Sequence, residues 1–130
     1  MKKIFSIVFI IFLSACSTMK GPSQEQIDTA DYGMYPENYE NLVNEHYVAM
    51  LDDPSSAIIE SIGEPQKEYL YDHKYHTDFF IGYVVCVTLN TKNAYGNYTG
   101  KHTDGLLIKN GRVLHTLEGG YWERRAKCTG

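Results

Sequence analysis

The spacing of apolar side chains changes several times along this 130-residue chain, and each change predicts a different structure. Residues 4–13 form an apolar run broken only by Ser6. Residues 17–35 show neither helical nor alternating order and include Gly21, Pro22, Ser23 and Gly33, so they read as a flexible tether with an end-to-end distance of roughly 25 Å. Tyr32 and Tyr35 are placed to fold back onto a domain. After Pro36, which suits the first turn of a helix, Tyr39, Leu42, Val43, His46, Tyr47, Met50 and Leu51 recur at three-and-four spacing. This predicts an amphipathic helix ending near Asp52, with Glu40, Asn41, Asn44 and Glu45 on its wet face. Asp53 before Pro54 has the form of an N-cap and a first-turn proline. Residues 55–62 are therefore expected to form a short second helix, stopped by Gly63 and Pro65.

Beyond Pro65 the period shortens to two. Residues 67–71 alternate weakly, and residues 79–89 are rich in aromatic and β-branched side chains, the composition of a central strand. Along it Ile81, Tyr83, Val85, Val87 and Leu89 point one way, expected to be toward the helix, and Gly82, Val84, Cys86, Thr88 and Asn90 the other. Two shorter strands, residues 105–109 and 112–117, flank Asn110-Gly111, a dipeptide suited to a tight hairpin turn. The pattern predicts an α+β domain over residues 36–130. An N-terminal amphipathic helix packs on a three- to four-stranded antiparallel sheet, and Cys128 returns the tail to the central strand.

The first residues carry Lys2 and Lys3, then the apolar run, then Ser14 and Ala15, which is the layout of a signal peptide over residues 1–15. The run is about half the roughly 20 residues of a spanning helix. Leu13-Ser14-Ala15-Cys16 resembles the lipobox of bacterial lipoproteins at all four positions. That resemblance implies a diacylglyceryl group on the Cys16 thiol, cleavage before Cys16 and acylation of the new amino group by chains such as palmitate. Two or more chains give stable anchoring where one gives marginal binding. The alternative is a plain cleaved signal with an incidental cysteine. Ser17 resembles the residue found in cargo of the Gram-negative outer membrane. The implied address is the cell envelope, on the outer membrane facing the periplasm.

Charge narrows the partners. The chain carries −4, and without Lys2 and Lys3 the balance is 10 basic against 16 acidic residues, or −6, which disfavours nucleic acid and makes an anionic membrane surface an unlikely docking site. The contact with the membrane is expected through lipid on Cys16 alone. Assigning Cys16 to lipid leaves Cys86 and Cys128 as a pair in an oxidising compartment, where a disulfide closing about 43 residues contributes on the order of 4 kcal/mol. A buried free Cys86 with an exposed Cys128 is the alternative.

Candidate chemistry is sparse. His73 and His76 lie near Asp72 and Asp78, but their spacing matches no zinc pattern, and His102 and Asp104 join them only if the fold brings the loops together. No nucleophile elbow, His-Glu-x-x-His or phosphate-loop pattern is present, and Asp52, Asp53 and Glu123 are explained by capping or surface charge. No catalytic residue, metal or cofactor is expected. Residues 90–100, in contrast, combine glycines, asparagines and two tyrosines, a composition suited to recognition; Asn93, Tyr95, Asn97 and Tyr98 are its candidate binding residues. The bland alternative is a strand connection whose tyrosines cover a sheet edge. Trp122, beside Tyr121, Arg124 and Arg125, is a second candidate contact surface, unless Trp122 closes the core and the arginines stay solvated.

The run Gly82-Tyr83-Val84-Val85-Cys86-Val87, the Tyr95-to-Gly100 loop and the Asn110-Gly111 turn together resemble a group of small proteobacterial envelope lipoproteins to which no biochemical role is attached. The resemblance implies an envelope address and a compact domain. The expected function is a membrane-anchored, non-catalytic lipoprotein with a binding or structural role toward an envelope protein or cell-wall component. The alternative is a periplasmic inhibitor of a wall-degrading enzyme, with the loop plugging a cleft. A hydrolase or metal enzyme requires His73, His76 and His102 to converge.

Overall fold

A computed structural model describes residues 21–75 and 79–129; the expected signal peptide at residues 1–15, Cys16, His76 and Asp78 lie outside the described residues. In chain order the elements are α1 (Gln24–Asp28), α2 (Tyr39–Met50), a 3-10 turn (Pro54–Ser56), β1 (Ile58–Ile62), β2 (Gln66–Tyr71), β3 (Phe79–Asn90), β4 (His102–Lys109), β5 (Arg112–Leu117), a second 3-10 turn (Glu118–Gly120), β6 (Tyr121–Trp122) and β7 (Arg125–Ala126). The α+β class and the antiparallel sheet are as the periodicity predicts, but the sheet has five strands rather than three or four.

The extra strand is β1, which occupies most of the stretch expected to be a second helix. Asp53 stands at the N-cap position of only a single 3-10 turn and makes no side-chain cap bond to the backbone: its carboxylate accepts from Ser55 Oγ at 2.7 Å, and its carbonyl from the Ser56 amide at 3.2 Å. The isoleucines that follow fit a helix face and a pleated strand about equally by spacing. Tertiary pairing decides between them, because β3 is twelve residues long and offers an edge. There Ile59 pairs with Leu89 and Ile62 with Val87, with a bulge between Ile59 and Ser61. β2 pairs with the other half of the same edge, from Gln66 opposite Val84 to Tyr71 opposite Phe79. Between them the Gly63 amide donates to the Cys86 carbonyl at 2.8 Å and keeps the ladder continuous.

β4 covers the opposite edge of β3, and β5 lies outside β4. Asn110 and Gly111, both at positive φ, join β4 to β5 through the two-residue turn that the dipeptide predicts.

Each sheet face has its own core. On one, Val85, Val87, Leu89, Leu106 and Ile108 bury against Val43 and Tyr47 of α2, with Tyr39, Leu42 and Leu51 around them. Val85, Val87 and Leu89 thus face the helix as expected. Met50, assigned to the same helix face, is instead 65% exposed in the last turn. On the other sheet face Leu70, Val84, Leu107, Leu117 and Cys128 form a second core, flanked by Phe80, Cys86 and Trp122. The Cys86–Cys128 disulfide fastens the tail there, with a Cα separation of 5.7 Å. Gly105 makes room for it: a Cβ at that position would stand 3.1 Å from Cys128 Sγ and 3.0 Å from Leu117 Cδ1.

Within the stretch read as a tether, the structure forms α1 behind a capping box, in which Ser23 Oγ accepts from the Gln26 amide and Gln26 Oε1 from the Ser23 amide. A single turn of helix is too short to leave a periodic apolar signal. Tyr32 and Tyr35 do fold back, their rings meeting Tyr83 edge-on at centroid distances of 6.4 and 5.5 Å.

Candidate functional site

β3 delivers its C-terminal end into residues 91–100, and the polar side chains there hold the backbone in a narrow protrusion. At its base Asn90 Oδ1 accepts from the Gly100 amide at 3.1 Å, and the Thr99 amide donates to the Thr91 carbonyl at 3.1 Å. Lys92 and Tyr98 then bridge across the two arms. At the tip Asn93 Oδ1 accepts from the amides of Tyr95 and Asn97 at 3.0 and 3.1 Å, while the Asn93 amide donates to the Asn97 carbonyl at 2.9 Å. Gly96, at φ 78°, supplies the left-handed residue of this turn.

The four residues proposed for recognition therefore have different structural positions. Asn93 organises the turn through its side chain and Asn97 through its backbone. Tyr98 is braced: its hydroxyl donates to the Ser56 carbonyl at 2.8 Å and the Lys92 ammonium stands 5.2 Å from its ring centroid. Tyr95 is held at the apex with 89% of its surface exposed. The loop also forms one wall of a cleft of about 430 Å³, whose other wall is Met50, Leu51, Asp52 and Asp53 at the end of α2. Hydrogen bonding from Ser55 holds the Asp53 carboxyl below its ordinary pKa against partial desolvation, with Ser56 and Lys92 also favouring the anion. The carboxylates of this wall read in sequence as capping residues; nothing local reveals that they face the loop.

Among the described residues, His73 and His102 do not converge. His73 follows β2 beside the start of β3, whereas His102 pairs with Leu89 near the end of β3. Ten residues of strand, roughly 33 Å, separate these positions. Among the described residues no group of three His, Cys, Asp or Glu side chains is arranged to hold a metal ion.

His102 does belong to a different cluster. Asp104 is buried beneath α2, where its carboxylate accepts from the Tyr47 hydroxyl at 3.3 Å and the Gly119 amide at 3.0 Å, with His102 Nε2 at 3.5 Å. His46 packs edge-on to Tyr47 and meets Thr116 Oγ1 at 3.1 Å through Nε2. Burial first, and then the Asp104 charge, push the Tyr47 hydroxyl far above its ordinary pKa, so it stays a neutral donor. This arrangement ties α2, β4 and the Glu118–Gly120 turn together.

Trp122 closes the second core. Its ring lies against Phe80 and His115, and its Nε1 donates to the Tyr71 carbonyl at 3.1 Å. Arg124 and Arg125 remain exposed on the β6–β7 hairpin. No family model, no curated protein and no solved structure matches the chain.

Proposed function

We propose that the chain is a lipid-anchored envelope lipoprotein whose small non-catalytic domain binds an envelope protein or cell-wall component through the loop at residues 91–99. The supporting observation is that Asn93 braces the loop while Tyr95 stands almost fully exposed at its tip. A large aromatic side chain on an ordered turn contributes contact area at low entropic cost on binding. The finer elements of this reading, namely processing before Cys16, lipid on that cysteine and an outer-membrane address, rest on the lipobox resemblance and Ser17.

Photo-crosslinking in intact cells tests the loop, with a crosslinking residue placed at Tyr95 and, as a control, at exposed Glu118. A partner captured from position 95 and not from 118, and lost when Asn93→Ala loosens the loop, supports the reading. Equal capture from both positions overturns it.

The second reading is inhibition of a wall-degrading enzyme. A narrow convex loop is the shape that enters a substrate cleft, and the 91–99 protrusion has that shape. Inhibition of a muramidase by the native chain, relieved at least tenfold by Tyr95→Ala, selects this reading over passive binding.

A further inference from the structure

The net charge argues against an anionic surface as a partner only while the chain is treated as a whole. The fold distributes its charge unevenly. Lys74, Arg124 and Arg125, with His73 and Glu123, line a depression of about 610 Å³ where the β6–β7 hairpin meets the end of β2. Two carboxylates sit among them and are engaged by their neighbours: Asp72 accepts from the amides of Lys74 and Tyr75, and Glu123, itself part of the lining, accepts from the His73 amide and meets His73 Nδ1, which Arg125 also contacts. The three cations are exposed, and Arg124 has no acidic partner among the described residues. Tyr75 and Tyr121, 63% and 55% exposed, flank them. Gln26 of α1 lines a neighbouring hollow with Gly21, Tyr71 and Phe79, so α1, which carries Glu25 and Asp28, borders this end and the positive surface is confined to the hairpin and its neighbours.

Chain connectivity says what lies opposite. Gly21 rests on the same end, where a Cβ would stand 3.3 Å from Tyr71 Cδ1 and 3.5 Å from His73 Nε2. Cys16 is only five residues upstream, a reach of at most roughly 18 Å. We propose that this end of the domain docks on the anionic phospholipid headgroups of the membrane that holds the anchor. Lys74, Arg124 and Arg125 face the phosphates, and Tyr75 and Tyr121 lie at headgroup level, where amphipathic rings are favoured. The proposal rests on the reading of Cys16 as the lipid-bearing residue.

Trp122, the sole tryptophan, sits in the hairpin and serves as the probe. The full native chain, purified from membranes, is reconstituted in phosphatidylcholine vesicles with or without phosphatidylglycerol, each carrying a lipid spin-labelled at the headgroup. Trp122 fluorescence is expected to be quenched more strongly with phosphatidylglycerol, and the excess to vanish in high salt. Each cation contributes about fivefold to the ratio of docked to undocked domain, so Lys74→Gln with Arg124→Gln is expected to lower it roughly 25-fold. An unchanged near-ultraviolet circular dichroism spectrum shows that the variant is folded. Quenching that ignores phosphatidylglycerol, or the double substitution in a folded variant, overturns the proposal. The mass of the purified chain reports lipid on Cys16 separately. If none is present, the reading of Cys16 has failed and the docking proposal, which rests on it, is overturned with it, whereas lipid on Cys16 with charge-independent quenching overturns the docking surface alone.

Discussion

The Tyr47 hydroxyl donates to the Asp104 carboxylate across the contact between α2 and β4, joining the helix to the one charged residue buried among the described part of the domain. Tyr47→Phe removes this donor and leaves Asp104 with the Gly119 amide and the half-exposed His102 as its neighbours. The expected loss is about 1–3 kcal/mol, the usual cost of stripping a partner from a buried acceptor. Urea unfolding measures it. Asp104→Asn in the Tyr47→Phe background should cost less than Asp104→Asn alone, because the two side chains share one bond.

His46 gives the domain a pH dependence of definite sign. Burial lowers its pKa from the ordinary 6.5, with Asp104 pulling in the opposite direction. The unfolded chain therefore takes up the proton more readily than the folded one. The contribution of neutral His46 is fully present above pH 6.5 and is lost as the pH falls through that value toward the lower folded pKa. Thermal unfolding between pH 7.5 and 5.5 should show a falling Tm, and His46→Gln should flatten that slope. A His46→Gln variant with the native slope assigns the effect to other groups.

The Cys86–Cys128 bridge spans 42 positions of sequence, which in a chain-entropy account contributes on the order of 4 kcal/mol. Because Cys128 is buried in the second core and Trp122 lies beside that core, reduction should also free the tail. The expected result is a large fall in the urea midpoint under reducing conditions, together with a red shift of Trp122 emission. The shift should appear before the first core, around Val43 and Val85, unfolds.

Asn93→Ala tests the loop without touching either core. Losing the two amide bonds to its side chain should speed hydrogen exchange at Tyr95 and Asn97 while changing global stability by less than about 1 kcal/mol. Exchange rates equal to those of the native protein would mean that the turn holds without its side chain.

Particular residues show why some of this was legible in the sequence. β3 announces itself because aromatic and β-branched side chains crowd its length, and Asn110-Gly111 because few other residue pairs accept two positive φ values. β1 does not, because Asp53-Pro54 has the form of a helix start yet opens only a single 3-10 turn with no side-chain cap bond, and only the free edge of β3 converts the following isoleucines into a strand. The candidate loop stands out by composition, yet the division of labour within it, with Asn93 inside and Tyr95 outside, is a matter of which amides each carbonyl reaches. Asp104 stands out in the sequence only as a neighbour of His102, because its partners Tyr47 and Gly119 are 57 and 15 positions away. The clustering of Lys74 with Arg124 and Arg125 has the same origin, fifty residues of sequence closed by a hairpin.

β3 begins beside the segment where Gly21 packs and ends at the base of the Tyr95 loop, so its axis, roughly 36 Å of strand, joins the two ends of the domain. A pull between a tethered N-terminal side and a partner gripping the loop would run along that axis. Because the chain passes from Gly21 through α1 and α2 before it enters the sheet at β1, such a pull would reach the contact of α2 with the first core before it reached the ladders of β3.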